Sequence, residues 1–209
     1  MKQESEASSL SSVAADPQVD TDQALMLQYA AGNARAFEVL YLKHKGPLYR
    51  YFVRQLNDQQ LAEDLYQDTW SRVIKAASSY ETSAKFTTWL YRIAHNLIID
   101  HIRAVKPVNS FTEVFEPEQD HEAKLSNQDE NLESQLMDNQ KATLLKGCVA
   151  DLPQVQKEAF LLNVEMGFTA AIIADIAGAT LEATKSRIRY AYKGLKDCVE
   201  LKWQGANHD

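Results

Sequence analysis

Residues 85–103 read KFTTWLYRIAHNLIIDHIR, and the spacing within this run decides the fold class. Phe86, Leu90, Ile93 and Leu97 recur every three or four positions, which gathers side chains on one face of an α-helix and would scatter them across both faces of a strand. Lys85, Trp89, Arg92, Asn96, Ile99 and Arg103 form a second stripe at the same period. Cations interleaved with an aromatic ring and an amide suit a surface that meets a nucleic-acid backbone together with unstacked bases. The plainer alternative is an amphipathic helix in which Trp89 is merely buried.

Helical periodicity extends outward from this run. It dominates residues 22–106 and returns from about Leu136 to Leu201, while β-branched alternation is scarce and the chain has only seven glycines and five prolines. The chain is therefore expected to be all-α, as two small helical domains joined by a flexible acidic linker. Helices are predicted near 22–31, 34–56, 59–77 and 85–105, the second open to interruption at Gly46-Pro47. Further helices are predicted near 137–150, 154–166, 169–177 and 181–200, with Pro153 in a first turn and Thr180 capping the last. The domains are expected at 22–106 and 137–200. Between them, 107–136 loses its period and fills with Glu, Asp, Asn and Gln, too little apolar surface to offset the entropy of ordering. Residues 1–21 are expected to be a disordered tail and 201–209 a short C-terminal one.

The charge is distributed unevenly. The whole chain carries −7, yet 22–106 carries +3 and 141–209 carries +1, while 107–140 alone carries −8. Acidity concentrated between two mildly basic segments leaves both free to meet an anionic partner. No run approaches the roughly 18 apolar residues of a membrane span. The N-terminus is polar and shows no signal core, so no membrane insertion is expected and the cytoplasm is the expected location. Cys148 and Cys198 are fifty positions apart without a CxxC or Cys/His cluster, and are read as reduced core thiols rather than as a metal or redox pair. His44, His95, His101, His121 and His208 form no metal motif, and no glycine-rich phosphate loop exists. His95 and His101 are read as helix-surface or satisfied core residues. No cofactor and no enzymatic activity are expected.

Two other segments carry a pattern. In 61–74, LAEDLYQDTWSRVI, residues Leu61, Leu65, Thr69 and Val73 face inward, with Glu63, Gln67, Trp70 and Ile74 beside them and Asp64 and Asp68 adjacent. Apolar groups among carboxylates suit a protein partner with a basic surface, though a solvated acidic face with Trp70 partly tucked in has the same pattern. Further on, Gly167-Phe168-Thr169 opens a short helix, Gly178 marks a tight turn and Leu181 opens a longer helix, the helix-turn-helix layout. Leu181, Ile188, Tyr192, Leu195 and Val199 are expected on its core face, with Thr184 and Ala191 at the edge. Thr184 fits that face less well than an aliphatic residue would. Lys185, Ser186, Arg189, Lys193 and Lys196 gather on one side of the rest, where early residues would reach base edges and later ones phosphates. A solvated basic face is the alternative.

The order of these segments resembles a known family, the extracytoplasmic-function (ECF) sigma factors of the sigma-70 family. Residues 61–70, LAEDLYQDTW, resemble its region 2.2, and 86–96, FTTWLYRIAHN, its region 2.3–2.4. Leu152-Pro153 followed by Gln156-Lys157-Glu158-Ala159-Phe160-Leu161-Leu162 resembles the start of region 4. Ile173-Ala174-Asp175-Ile176-Ala177-Gly178 and Lys185-Ser186-Arg187-Ile188 resemble its helix-turn-helix. The resemblance implies that Glu63, Asp64, Gln67, Asp68 and Trp70 bind the β′ clamp helices of core RNA polymerase, with the β flap a further contact. It implies that Tyr80, Lys85, Trp89, Tyr91, Arg92, Asn96 and Arg103 meet the −10 element and hold a flipped base, a sensible use of aromatic and amide groups given the unstacking cost. Lys185, Ser186, Arg187, Arg189, Tyr190 and Lys193 would face the −35 element. Promoter DNA and an anti-sigma factor are the other implied partners, and the linker would leave the two domains in almost any relative placement. The chain departs from the family pattern at Ala171 and Ile172, at Glu182-Ala183-Thr184 and at Tyr80-Glu81-Thr82. A helix-turn-helix regulator that recruits no polymerase would explain 137–200 but not the stripe around Trp70. A sequestering protein that keeps polymerase binding without promoter recognition is the other alternative.

Overall fold

In the computed structural model of the chain, the described residues are 21–105 and 132–206. The expected tail over 1–21, but for Thr21, and most of the expected linker lie outside them. Among the described residues there is no strand. The helices are α1 (Thr21–Ala30), α2 (Ala34–Leu56), α3 (Gln59–Lys75), α4 (Phe86–Val105), α5 (Leu132–Asp151), α6 (Gln154–Val164), α7 (Ala170–Ala177) and α8 (Leu181–Ala206), with a 3₁₀ turn at Ala77–Ser79.

Short polar side chains set several of the helix starts. Asp58 accepts the amide of Leu61 at 3.1 Å and begins α3, and Thr180 accepts the amide of Ala183 at 3.1 Å and begins α8. Asn33 and Thr169 cap α2 and α7 in the same way. Gly178, at φ +59°, ends α7 in the left-handed region that glycine enters without a Cβ penalty.

Three expected boundaries differ. Helix α2 runs unbroken through Gly46-Pro47, because Leu40, His44, Leu48, Tyr51 and Phe52 anchor the turns on both sides in the core and offset the lost hydrogen bond. Helix α5 begins at Leu132, inside the segment expected to be linker, where polar composition hides a helical start. Helix α8 continues past 200 into the expected C-terminal tail. Lys202 pairs with Asp151 at 2.9 Å and Lys141 lies over the Trp203 ring at 5.5 Å, so the end of α8 is fastened to α5.

The cysteine expectation is corrected. Cys148 on α5 and Cys198 on α8 form a disulfide, with Cα atoms 5.9 Å apart. Sequence spacing could not show that the two helices pack side by side with these residues facing each other. They join a small core of Val149, Leu152, Phe160, Leu161, Ala191 and Leu195. On α8 the buried stripe centres on Thr184, Ala191 and Leu195, whereas Leu181 and Tyr192, expected at its heart, are exposed. Thr184 is wholly buried, and its hydroxyl donates to the Thr180 carbonyl at 3.0 Å, so the polar group in that face is satisfied.

The two halves do not stand apart. Helices α6 and α7 pack on α2 and α4, and one core cluster runs from Met26, Leu40, Phe52 and Phe86 through Tyr91 to Leu162, Ile173 and Ile176. The expectation of arbitrary placement took each half as closed on itself, which the shared core excludes for this arrangement.

A cross-link closing a loop of 50 positions restricts the unfolded chain, with an entropic ceiling of about 4 kcal/mol. Urea unfolding of the intact chain should move to lower midpoint when dithiothreitol is added. The Cys148→Ser/Cys198→Ser double variant should start at that lower midpoint and not respond to the reductant.

Candidate nucleic-acid interface

Helix α4 is buried along two strips and exposed along a third. Phe86, Leu90, Ala94 and Leu97 are buried, and so are Thr88, Tyr91, His95 and Ile98. The remaining surface carries Lys85, Asn96 and Arg103, all exposed, with Trp89 and Arg92 half-buried. Trp89 is held by aromatic neighbours, its ring 5.0 Å from Tyr80 and 6.0 Å from Phe86. Tyr80 is itself buried, as the floor of this cluster. Gln23 of α1 donates to the Ala84 carbonyl at 2.8 Å, which ties down the loop that leads from Tyr80 to α4. Trp89, Lys85, Arg92 and Asn96 thus share one side of the first half, a half-buried ring with two cations and an amide, while Tyr80, which the resemblance implies at the −10 element, is buried beside them.

Tyr91 requires a correction. It is only 2% exposed, and its ring packs between Tyr51 and Phe168, at 5.3 and 5.4 Å. Its hydroxyl donates to the Met166 sulfur at 2.7 Å, and burial followed by the nearby Glu165 carboxylate pushes its pKa far above the ordinary tyrosine value. Its place at the −10 element was implied by the resemblance alone, whereas in this arrangement its ring is enclosed between the two halves. Arg92 is engaged from the same direction: it forms an ion pair with Asp175 and donates to the Asp175 carbonyl at 3.2 Å.

The acidic surface of α3 is as expected in part. Glu63, Asp64 and Gln67 are exposed, and Asp68 pairs with Arg72 one turn on, at 3.3 Å. Trp70 is not on that surface. It is 5% exposed, edge-on to Tyr41 at 5.1 Å and Phe37 at 5.8 Å. Its stripe lies close enough to the core face of α3 for a large ring to roll inward.

On α8, Lys185, Arg189 and Lys193 are exposed, and Ser186 and Tyr190 are half-buried. Lys185 pairs with Glu182 at 2.9 Å, and the Arg189 guanidinium lies 5.3 Å from the centre of the Tyr190 ring. Arg187 is half-buried, with its Nε enclosed and without a hydrogen-bond partner. Among the described residues no group of three or more His, Cys, Asp or Glu side chains could hold a metal ion. None of their helices is long and apolar enough to cross a membrane.

The residues that sequence reasoning missed lie between the halves. Glu158 of α6 is 5% exposed, accepts the Tyr51 hydroxyl at 2.6 Å, and has the same oxygen 2.7 Å from His95 Nδ1. Burial, and then the carboxylate, hold the Tyr51 pKa well above its ordinary value. Glu158 and Tyr51 are 107 positions apart, and no periodicity within either helix could pair them.

Known proteins show the same organisation. The family described as Sigma-70 region 2 matches residues 40–107. The ECF RNA polymerase sigma factor SigC of Mycobacterium tuberculosis is 32% identical over 172 residues, covering 82% of this chain and 88% of that protein. The ECF RNA polymerase sigma factor SigK of Mycolicibacterium vanbaalenii is 28% identical over 182 residues, covering 84% and 88%. Among solved structures, CnrH in complex with the cytosolic domain of CnrY is similar in fold, with a TM-score of 0.63 at 21% identity over 87% of this chain and 99% of that one. The chain belongs to the ECF RNA polymerase sigma factors, alternative sigma factors that direct transcription initiation at specific promoters.

Because Trp70 is a core residue, Trp70→Ala should cost about 3–5 kcal/mol of stability, by lost burial and the cavity left behind. Glu63→Ala should change stability by no more than about 0.5 kcal/mol, as surface substitutions do. Chemical denaturation of both variants checks the contrast.

Proposed function

We propose that promoter recognition is divided between the exposed stripe of α4 and the basic side of α8, with the acidic surface of α3 taking core polymerase. The observation that carries this reading is the surface of α4, where Trp89, edge-on to Tyr80 at 5.0 Å, stands in line with Lys85, Arg92 and Asn96. An aromatic face and an amide between two cations can hold an unstacked base while meeting the phosphates on either side. Arg103 extends the cationic line. On α8, Lys185, Ser186, Arg189, Tyr190 and Lys193 would approach the −35 element, the early ones at base edges and Lys193 at the backbone. Glu63, Asp64, Gln67 and Asp68 offer the β′ clamp helices a compact acidic surface, with the β flap meeting the second half.

The chain acts in the cytoplasm in this reading and is not itself an enzyme; polymerase performs the chemistry. An anti-sigma factor is the proposed controller. The RpoE structure from Bartonella quintana, similar in fold with a TM-score of 0.59, is a complex with the anti-sigma factor NepR, and that kind of partner is extended here to this chain.

The test is transcription in vitro with core polymerase and a genomic fragment library, followed by sequencing of the transcript starts. Starts that share two spaced elements are expected. Core binding without any start would favour the sequestering alternative, and absence of core binding would leave a free-standing DNA-binding regulator. On a recovered promoter, Asn96→Ala should lose about 1–3 kcal/mol of discrimination at one −10 position. Lys193→Ala should instead weaken binding across sequences and reduce the salt slope by about one.

A further inference from the structure

The stripe proposed to read the −10 element starts in the turn between Tyr80 and Phe86, and this inference rests on that reading. Glu81, Thr82, Ser83 and Lys85 of the turn are exposed. A short exposed segment stays ordered only where contacts from outside fix its backbone. The ends are fixed by Tyr80 and Phe86, both buried, with ring centres 6.3 Å apart. The middle is fixed from α1. The side-chain nitrogen of Gln23 lies 2.8 Å from the Ala84 carbonyl and 3.4 Å from the Thr82 carbonyl, 61 and 59 positions along the chain. Carbonyls only accept, so the amino end of Gln23 serves both. Gln23 is itself held in place. Its neighbour Asp22, 3% exposed, accepts the Lys43 ammonium at 2.6 Å and lies 2.9 Å from His44 Nε2, and Met26, one turn on, is wholly buried. The His44 ring is in turn 5.4 Å from Phe86, so the anchor of α1 and the start of α4 share one piece of core.

Among the described residues every peptide bond is trans, and a trans peptide sets its N–H opposite its C=O. With the Thr82 and Ala84 carbonyls aimed at α1, the amides of Ser83 and Lys85, which share those two peptide planes, are aimed away from it, where the turn is exposed. We propose that Gln23 is a positioning residue for −10 recognition: by holding the two carbonyls it presents the Ser83 and Lys85 amides, beside the Trp89 ring, to an unstacked base. Two fixed donors favour a base edge that offers acceptors. Donors already in place also spare the ordering that a loose turn would undergo when the base arrives. Gln23 touches no nucleic acid in this scheme and acts through the turn alone.

The experiment compares the full parent chain with Gln23→Ala and with Gln23→Glu, which keeps the size of the side chain and removes the donor. Backbone amide relaxation, measured by NMR, should give order parameters of about 0.85 at Ser83 and Lys85 in the parent and below about 0.6 in both variants. Transcription with core polymerase is then run on a promoter recovered from the genomic library, its −10 and −35 elements randomised in turn. Both variants should lose about tenfold of discrimination at one −10 position. They should keep the parent's −35 selection and its affinity for core polymerase. Mobile amides in the parent, or rigid ones in both variants, overturn the tie. Amides loosened with no change in −10 selection overturn the positioning role. Output that falls equally across all −10 and −35 sequences overturns it too, because that is the mark of damaged folding. If no promoter is recovered, the reading of α4 falls and the positioning role with it, while the relaxation data still decide whether Gln23 holds the turn.

Discussion

Helix α4 carries more apolar surface than its own half can cover, and the rest of the arrangement follows from that excess. Phe86, Leu90 and Ala94 lie with Tyr80, Phe52 and Leu48 in the core of the first half. Tyr91, His95 and Ile98 form a second buried strip, and Tyr91 and His95 meet residues of α6 and of the loop before α7. A ring as large as Tyr91 removes on the order of 150–250 Å² from water when buried. Helix α7 is short and mostly apolar, with Ile173 and Ile176 buried in the cluster shared with the first half. Neither strip is fully dry without the other half, so each half supplies the cover that its partner lacks.

Polar groups decide which of many greasy contacts is made. Apolar surfaces alone would let α6 and α7 slide on α2 and α4 at small cost, because the hydrophobic effect is non-directional. Glu158 removes that freedom, since a buried carboxylate displaced from Tyr51 and His95 would lose both partners inside a medium that screens poorly. Tyr51 stays protonated throughout the physiological range, as burial and the neighbouring carboxylate both oppose its ionisation, so it remains a hydrogen-bond donor to Glu158. The hydroxyl of Tyr91 is likewise kept neutral beside Met166.

Helices were legible because each is a local pattern. Periods of three and four, the cap at Thr180 and the turn at Gly178 all act within a few residues, and the observed elements follow them closely. What failed was everything that depends on which face meets which. Trp70 belongs to a stripe beside a buried face and Tyr91 was placed by resemblance alone, and whether each ring turns outward is settled by Phe37 and Tyr41 in one case and Phe168 in the other, far away in sequence. The disulfide failed in the same way, for fifty intervening positions say nothing about two helices lying side by side. The surface part of the candidate site was more legible: Glu63, Asp64, Gln67, Lys85, Asn96, Lys185 and Arg189 are exposed where their stripes put them. Exposure needs no partner, and so a single helix can specify it.

The cations of the proposed DNA-reading helices are not idle in the DNA-free protein. Lys185 holds Glu182, Arg92 holds Asp175 and Lys196 approaches Glu200 at 3.9 Å, each pair lying at or near the surface. Exposed pairs of this kind contribute about 0–1 kcal/mol, and salt screens them further. A phosphate can therefore displace the carboxylate at small cost, and the acids act as placeholders that keep the side chains extended along the helix. They also lower the field that a bare basic helix would present to any nucleic acid. Together with the acidity concentrated in 107–140, this makes a net charge of −7 compatible with two surfaces proposed to face DNA. In the proposed division of promoter recognition, two surfaces of such modest charge would hold DNA best when both are engaged at a set spacing. On that proposal, weakness in each half would be the physical source of selectivity in the whole.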